Sequence, residues 1–167
     1  MQFSFDLISD LHVDTWPGGF DWTGQPTSPY CVVAGDVSQD RKLLTQTLKH
    51  LGECYQGVFF IDGNDEHRDN LENLGQSYRE LSRYVDKFKN VVFMQDNVVI
   101  VNGVALLASN GWWSFDFDKN IDPEQTQDWW LTQQADGNIQ TVEDLSRTDA
   151  AYLLRSIERL QLHQDVK

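Results

Sequence analysis

The chain has 167 residues, 40% of them hydrophobic and 12% aromatic, which is enough for one domain with a real core and too apolar for a disordered segment. Its 26 acidic residues outnumber its 13 basic ones, and the net charge of −13 argues against binding duplex nucleic acid through a basic face. Metal-assisted work on phosphates stays open, because bound cations reverse a local field.

In chain order, Phe3 to Ser9 is expected as a first strand and 15–28 as loop. Tyr30 to Ala34 is a second, buried strand ended by Gly35-Asp36. Ser38 can cap a helix over Gln39 to Leu51 that buries Leu43, Leu44, Leu48 and Leu51, with Gly52 just past its end. Gly57 to Asp62 is a third strand, whose run Val58, Phe59, Phe60, Ile61 suits a strand covered on both faces. A helix over 71–88 follows, buried through Leu74, Tyr78, Leu81, Tyr84 and Val85. Val91–Met94, Asn97–Val101 and Val104–Ala108 are expected as strands, with Asn102-Gly103 a two-residue hairpin turn. Helices over 123–135 and 142–163 close the chain, the latter buried through Ala150, Leu153, Leu154, Ile157, Leu160 and Leu162. Strand–helix–strand alternation predicts an α/β fold with a parallel first half in one domain spanning 1–167.

The start MQFSFDLISDLHVD has neither a basic segment nor an apolar run, so no leader and no membrane anchor is expected. Cys31 and Cys54 lie in no CxxC pair and are expected as buried thiols in a reducing compartment, with a cytoplasmic location following.

Polar clusters fall where the first three strands run out. Strand one ends in Ser9-Asp10-Leu11-His12, strand two in Gly35-Asp36, and strand three in Gly63-Asn64-Asp65-Glu66-His67. Ligands of open α/β sheets bind at the carboxyl ends of strands, so Asp10, His12, Asp36 and Asn64 are delivered to one edge. Oxygen and imidazole donors suit Mn, Fe, Zn or Mg, and the lack of cysteine disfavours a structural zinc site. Asp36, on a middle strand, is placed to bridge two ions.

D-x-H at Asp10–His12, G-D at Gly35–Asp36 and G-N-x-E at Gly63–Glu66 resemble the calcineurin-like metallophosphoesterases, and Ala105 to Phe117 is similar to a strand and aromatic loop of many bacterial members. The resemblance implies a metallophosphoesterase-like α/β/β/α sandwich and a phosphodiesterase-type hydrolase with two divalent metal ions. Asp10 and His12 would hold one ion, Asp36 would bridge, and Asn64 would hold the second. The substrate would be a small-molecule phosphoester or a nucleotide, attacked by metal-activated hydroxide. Two departures stand out. The family's phosphate-facing histidine is Asp65 here, with His67 the nearest substitute donor, so these two are the candidate catalytic residues; a solvated helix-start histidine is the plain alternative for His67. The family's later histidines and its G-H-x-H are missing, while His50 and His163 fall on predicted helices. The chain is therefore expected to be either the N-terminal portion of the sandwich, lacking its C-terminal strands, or a full-length member of a lineage that has lost activity. A weak second metal site, impaired turnover and an open sheet edge that invites self-association follow.

Two rival readings come from other classes. Asp116, Asp118, Asn120 and Asp122 start an EF-hand-like loop, but Ile121 and Gln127 stand where Gly and Glu belong. A catalytically silent binding domain is the other, with Trp112-Trp113 and Trp129-Trp130 as its contact surface.

Overall fold

The computed structural model describes residues 3–18, 20–113, 132–133, 139–140 and 142–162. Four strands form one parallel sheet in the order β1 (Phe5–Ile8), β2 (Tyr30–Ala34), β3 (Gly57–Ile61), β4 (Val91–Phe93). Parallel pairing needs a crossover between strands. Helix α1 (Arg41–Cys54) carries the chain from β2 to β3, and α2 (Leu74–Val85) from β3 to β4. The mixed α/β class and the parallel first half are as the alternation predicts. Register sets Phe5 beside Tyr30, Ala34 beside Ile61 and Val58 beside Val91, so the carboxyl ends of β1, β2 and β3 lie on one edge.

The core forms where β2 and β3 meet α1 and α2. Val33, Val58, Phe60, Leu44, Leu48, Leu51 and Leu81 are all buried there. Each large apolar side chain contributes about 1.5–3 kcal/mol by leaving water, and Phe60 stacks on Phe93 at 5.8 Å between ring centres.

Helix ends depart from the sequence reading. Asp40, not Ser38, caps α1 by accepting from the N–H groups of Lys42 at 2.7 Å and Leu43 at 3.0 Å. Ser38 is fully buried, and its hydroxyl accepts from Asp40 N–H instead. Gly52 sits inside α1, where a Cβ would meet Asn90 Oδ1 at 3.2 Å, and the helix runs on to Cys54. Cys31 is buried but Cys54 is exposed, because it leaves the last turn of α1 on the solvent side. The predicted helix over 71–88 is a 3₁₀ stretch (Asp65–Asn73) followed by α2, whose first turn is capped by Asn73.

Strands β5 (Asn97–Val101) and β6 (Val104–Ala108) form the expected antiparallel hairpin, with Asn102 at φ 53° and Gly103 at φ 78° as its primed turn needs. A two-residue strand pair, β7 (Thr132–Gln133) and β8 (Ile139–Gln140), replaces helix at 132–133. The rest of the expected helix over 123–131, the run Asp116 to Gln127, Trp129-Trp130 and His163 lie outside the described residues. Helix α3 (Val142–Gln161) turns a different face inward from the one its leucines suggested. Val142, Leu145, Asp149 and Ser156 are buried, while Ala150, Leu154, Ile157 and Leu162 are exposed. On that face Val142 and Leu145 pack with Leu74 and Trp112, and Asp149 accepts the N–H groups of Gly111 at 2.8 Å and Trp112 at 3.3 Å. β1 is an edge strand with Leu7 65% exposed. Among the described residues no helix is long and apolar enough to cross a membrane.

Candidate metal centre

Beyond β1 and β2 the chain keeps pairing although neither segment is a strand. Asp10 N–H donates to Gly35 O at 3.1 Å, His12 N–H to Asp36 O at 3.0 Å, and Val13 N–H to Val37 O at 2.9 Å. Along this ladder Asp10, His12 and Asp36 adopt left-handed backbone angles, with φ of 52°, 43° and 52°. Such angles cost a residue with a Cβ on the order of 1–3 kcal/mol and persist where the surroundings impose them. Among the described residues two other non-glycines share them, Asp96 and Asn102, and Asn102 is in a hairpin turn. The strain therefore concentrates on the three residues whose side chains could hold a metal.

Those side chains converge: one ligand atom each from Asp10, His12 and Asp36 lies within 4.8 Å of the others, with Asp10 exposed and the other two half-buried. Burial pushes the Asp36 carboxyl up from its ordinary range, and the neighbouring carboxylates of Asp65 and Asp10 add to the rise. The Asp65 N–H and the His12 ring oppose it. A divalent cation among two carboxylates and an imidazole would relieve the same repulsion, and that donor set fits Mn, Fe, Zn or Mg.

The β3 loop closes against Asp36 through two glycines. Gly35 has φ +74°, and a Cβ on it would meet Gly63 Cα at 2.8 Å. A Cβ on Gly63 would lie 2.1 Å from Asp36 Oδ1 and 2.5 Å from Asp36 N. Glu66, 1% exposed, then ties the two loops together. Its Oε1 accepts Val37 N–H at 2.7 Å and Ser38 N–H at 3.1 Å, and its Oε2 accepts Gly63 N–H at 2.7 Å and Asp36 N–H at 3.0 Å. Burial pushes the Glu66 carboxyl up, while the N–H donors of Gly63 and Ser38 hold it back. Asn64 lines an open cleft of about 280 Å³ together with Asp36, Asp62, Asn110 and Trp113. It shares that cleft with Asp36 and donates from Nδ2 to Asp65 Oδ1 at 3.2 Å.

The two candidate donors end up in different places. Asp65 stands beside the centre, with Oδ2 3.1 Å from His12 Nδ1 and Oδ1 3.3 Å from Arg68 Nη2. His67 is fully buried and apart from it. Its Nε2 lies 2.6 Å from Asp62 Oδ2, its Nδ1 lies 2.8 Å from Ser77 Oγ, and Tyr78 closes over the ring edge-on at 4.6 Å. The solvated helix-start alternative does not describe His67, since no part of that side chain reaches water. His50, on α1, packs its ring against Phe20 at 5.2 Å.

Sequence reasoning left Glu66, Asp62, Ser77 and Asn110 without roles. Glu66 had one signal: an acid three residues past a glycine can reach back to that glycine's N–H, as in a capping box. Asp62 and Ser77 had none, because they meet only through His67. Comparison of the chain with family models, with curated proteins and with solved structures gave no match.

Proposed function

We propose that this chain is a metal-dependent phosphoester hydrolase of metallophosphoesterase-like α/β/β/α architecture, working in a reducing, cytoplasmic setting. The observation that carries the reading is the convergence of Asp10, His12 and Asp36 within 4.8 Å on strand-end loops held in strained backbone. A divalent ion held by these three residues would supply an activated water and positive charge for the phosphoryl oxygens. Asp10 and His12 would hold the first ion, and Asp36 would serve it and a second ion that Asn64 completes.

The chain's own residues do the rest. Glu66 and the two glycines keep Asp36 at a fixed place, which a carboxylate on a free loop would not hold. The cleft bordered by Asp36, Asn64 and Trp113 is open to solvent and would let a phosphoester reach Asp36. The net charge of −13 would repel that substrate unless cations are bound, so metal and substrate affinity should rise together. The test is hydrolysis of bis(p-nitrophenyl) phosphate with and without Mn²⁺. Turnover that needs Mn²⁺ and is lost in Asp36→Asn supports the reading. Metal binding without turnover would favour a silent binding domain on the same scaffold.

A further inference from the structure

We propose that Asp65 is a positioning residue, which keeps the proton of His12 on Nδ1 and so presents the Nε2 lone pair to a cation shared with Asp10 and Asp36. The inference rests on the metal reading above but assigns Asp65 a different task from facing a phosphate.

His12 enters the centre with its backbone fixed, by the bond from its N–H to Asp36 O at 3.0 Å and by the Thr15 hydroxyl donating to its carbonyl at 2.7 Å. Those bonds do not set the ring. Its imidazole is still free to turn, and either nitrogen could carry the proton. The Asp65 carboxylate removes that freedom, because an acceptor 3.1 Å from Nδ1 selects the tautomer with hydrogen there. The remaining nitrogen, Nε2, is then a lone-pair donor. Metal-bound histidines are commonly oriented in this way by a carboxylate on the other nitrogen.

Asp65 is built for the task. Its side chain is 8% exposed, and each oxygen is already engaged. Oδ1 takes Asn64 Nδ2 at 3.2 Å and Arg68 Nη2 at 3.3 Å, and Oδ2 takes Gln39 Nε2 at 3.3 Å besides the ring. A carboxylate so occupied has little left to offer a substrate oxygen or an ion. Its backbone N–H meanwhile donates to Asp36 Oδ1 at 3.0 Å, so one residue orients two of the three converging side chains. The segment Ser9 to His12 and the segment Gly63 to His67 are thereby coupled at their ligating atoms.

The experiment is a long-range ¹H–¹⁵N correlation spectrum of the metal-free, ¹⁵N-labelled chain at about pH 8, above the ordinary imidazole range. His12 is assigned by its loss in His12→Gln, and Mn²⁺ calorimetry is run beside it. The expected result is His12 protonated on Nδ1 in the wild type, a mixed or reversed tautomer in Asp65→Asn, and a Mn²⁺ affinity about 10–100-fold lower in that variant. A wild-type His12 protonated on Nε2 overturns the proposal, as does equal Mn²⁺ affinity in Asp65→Asn. The wild-type spectrum decides even if the variant fails to fold. Mn²⁺ binding with the expected tautomer but without phosphodiester turnover would leave the positioning role standing and sink only the hydrolase reading.

Discussion

Glu66 Oε2 accepts the N–H of Asp36 at 3.0 Å, so the carboxylate of one loop holds in place the backbone of the residue proposed to bridge two ions. Because the same oxygen also takes Gly63 N–H, an amide in its place would turn at least one donor toward another donor. Glu66→Gln is therefore expected to lose roughly 2–4 kcal/mol of stability, the cost of buried N–H groups left without acceptors. Urea unfolding of the two chains checks it; equal midpoints would mean that the loops are held by something else.

Gly63→Ala should act on the centre more than on the core. Its methyl would fall 2.1 Å from Asp36 Oδ1, and relief requires moving that carboxylate or the β3 loop. The expected outcome is Mn²⁺ affinity lowered by about 10-fold or more, comparable to losing a partner that orients a ligand. Calorimetry that finds the wild-type affinity would show that the loop yields without disturbing Asp36.

His67→Ala should unfold the protein more easily rather than slow a proton transfer. Removing the ring takes one hydrogen-bond partner from each of Asp62 Oδ2 and Ser77 Oγ and leaves a cavity beside Tyr78, at about 2–4 kcal/mol. Denaturation reads the loss. A fall in turnover at unchanged stability would instead place the imidazole in the reaction.

Asp6 gives the stability an acid limb. Hydrogen bonds from the Thr27 hydroxyl and N–H lower its carboxyl to about 2 from an ordinary 3.8, with burial opposing and the Tyr55 hydroxyl helping. A lowered value in the folded state means that the stabilisation is complete above about 3.8 and is lost as pH falls through about 2. The unfolding midpoint of the wild type should drop through that window more steeply than that of Asp6→Asn. Parallel profiles would assign the acid limb to other groups.

The parts of the fold that could be read from residues in order are those governed by local rules. Tyr30–Ala34 and Gly57–Ile61 announce themselves as apolar runs closed by glycine, and Asn102-Gly103 as a primed turn. The placing of Asp10, His12 and Asp36 followed from the same logic, since parallel strands must present their ends together. What depended on contacts between distant segments stayed hidden. The leucines of α3 suggested one buried face, but the face that meets Leu74, Gly111 and Trp112 carries Val142, Leu145 and Asp149. His67 looked like a loop residue because Ser77, which buries it, arrives on the next helix. Asp65 carries no local sign of its setting, because the His12 ring it meets comes from the loop after β1.

If Asp10, His12 and Asp36 hold one metal ion, its binding should depend most on Asp36. Mn²⁺ calorimetry on the wild type and on Asp36→Asn isolates that dependence, because the substitution removes a charge while keeping the shape of the side chain. Measurable binding by the wild type and a fall of more than about 100-fold in the variant are expected, beyond what losing an orienting partner costs. Equal affinity in the two chains, or no binding by the wild type, would contradict it.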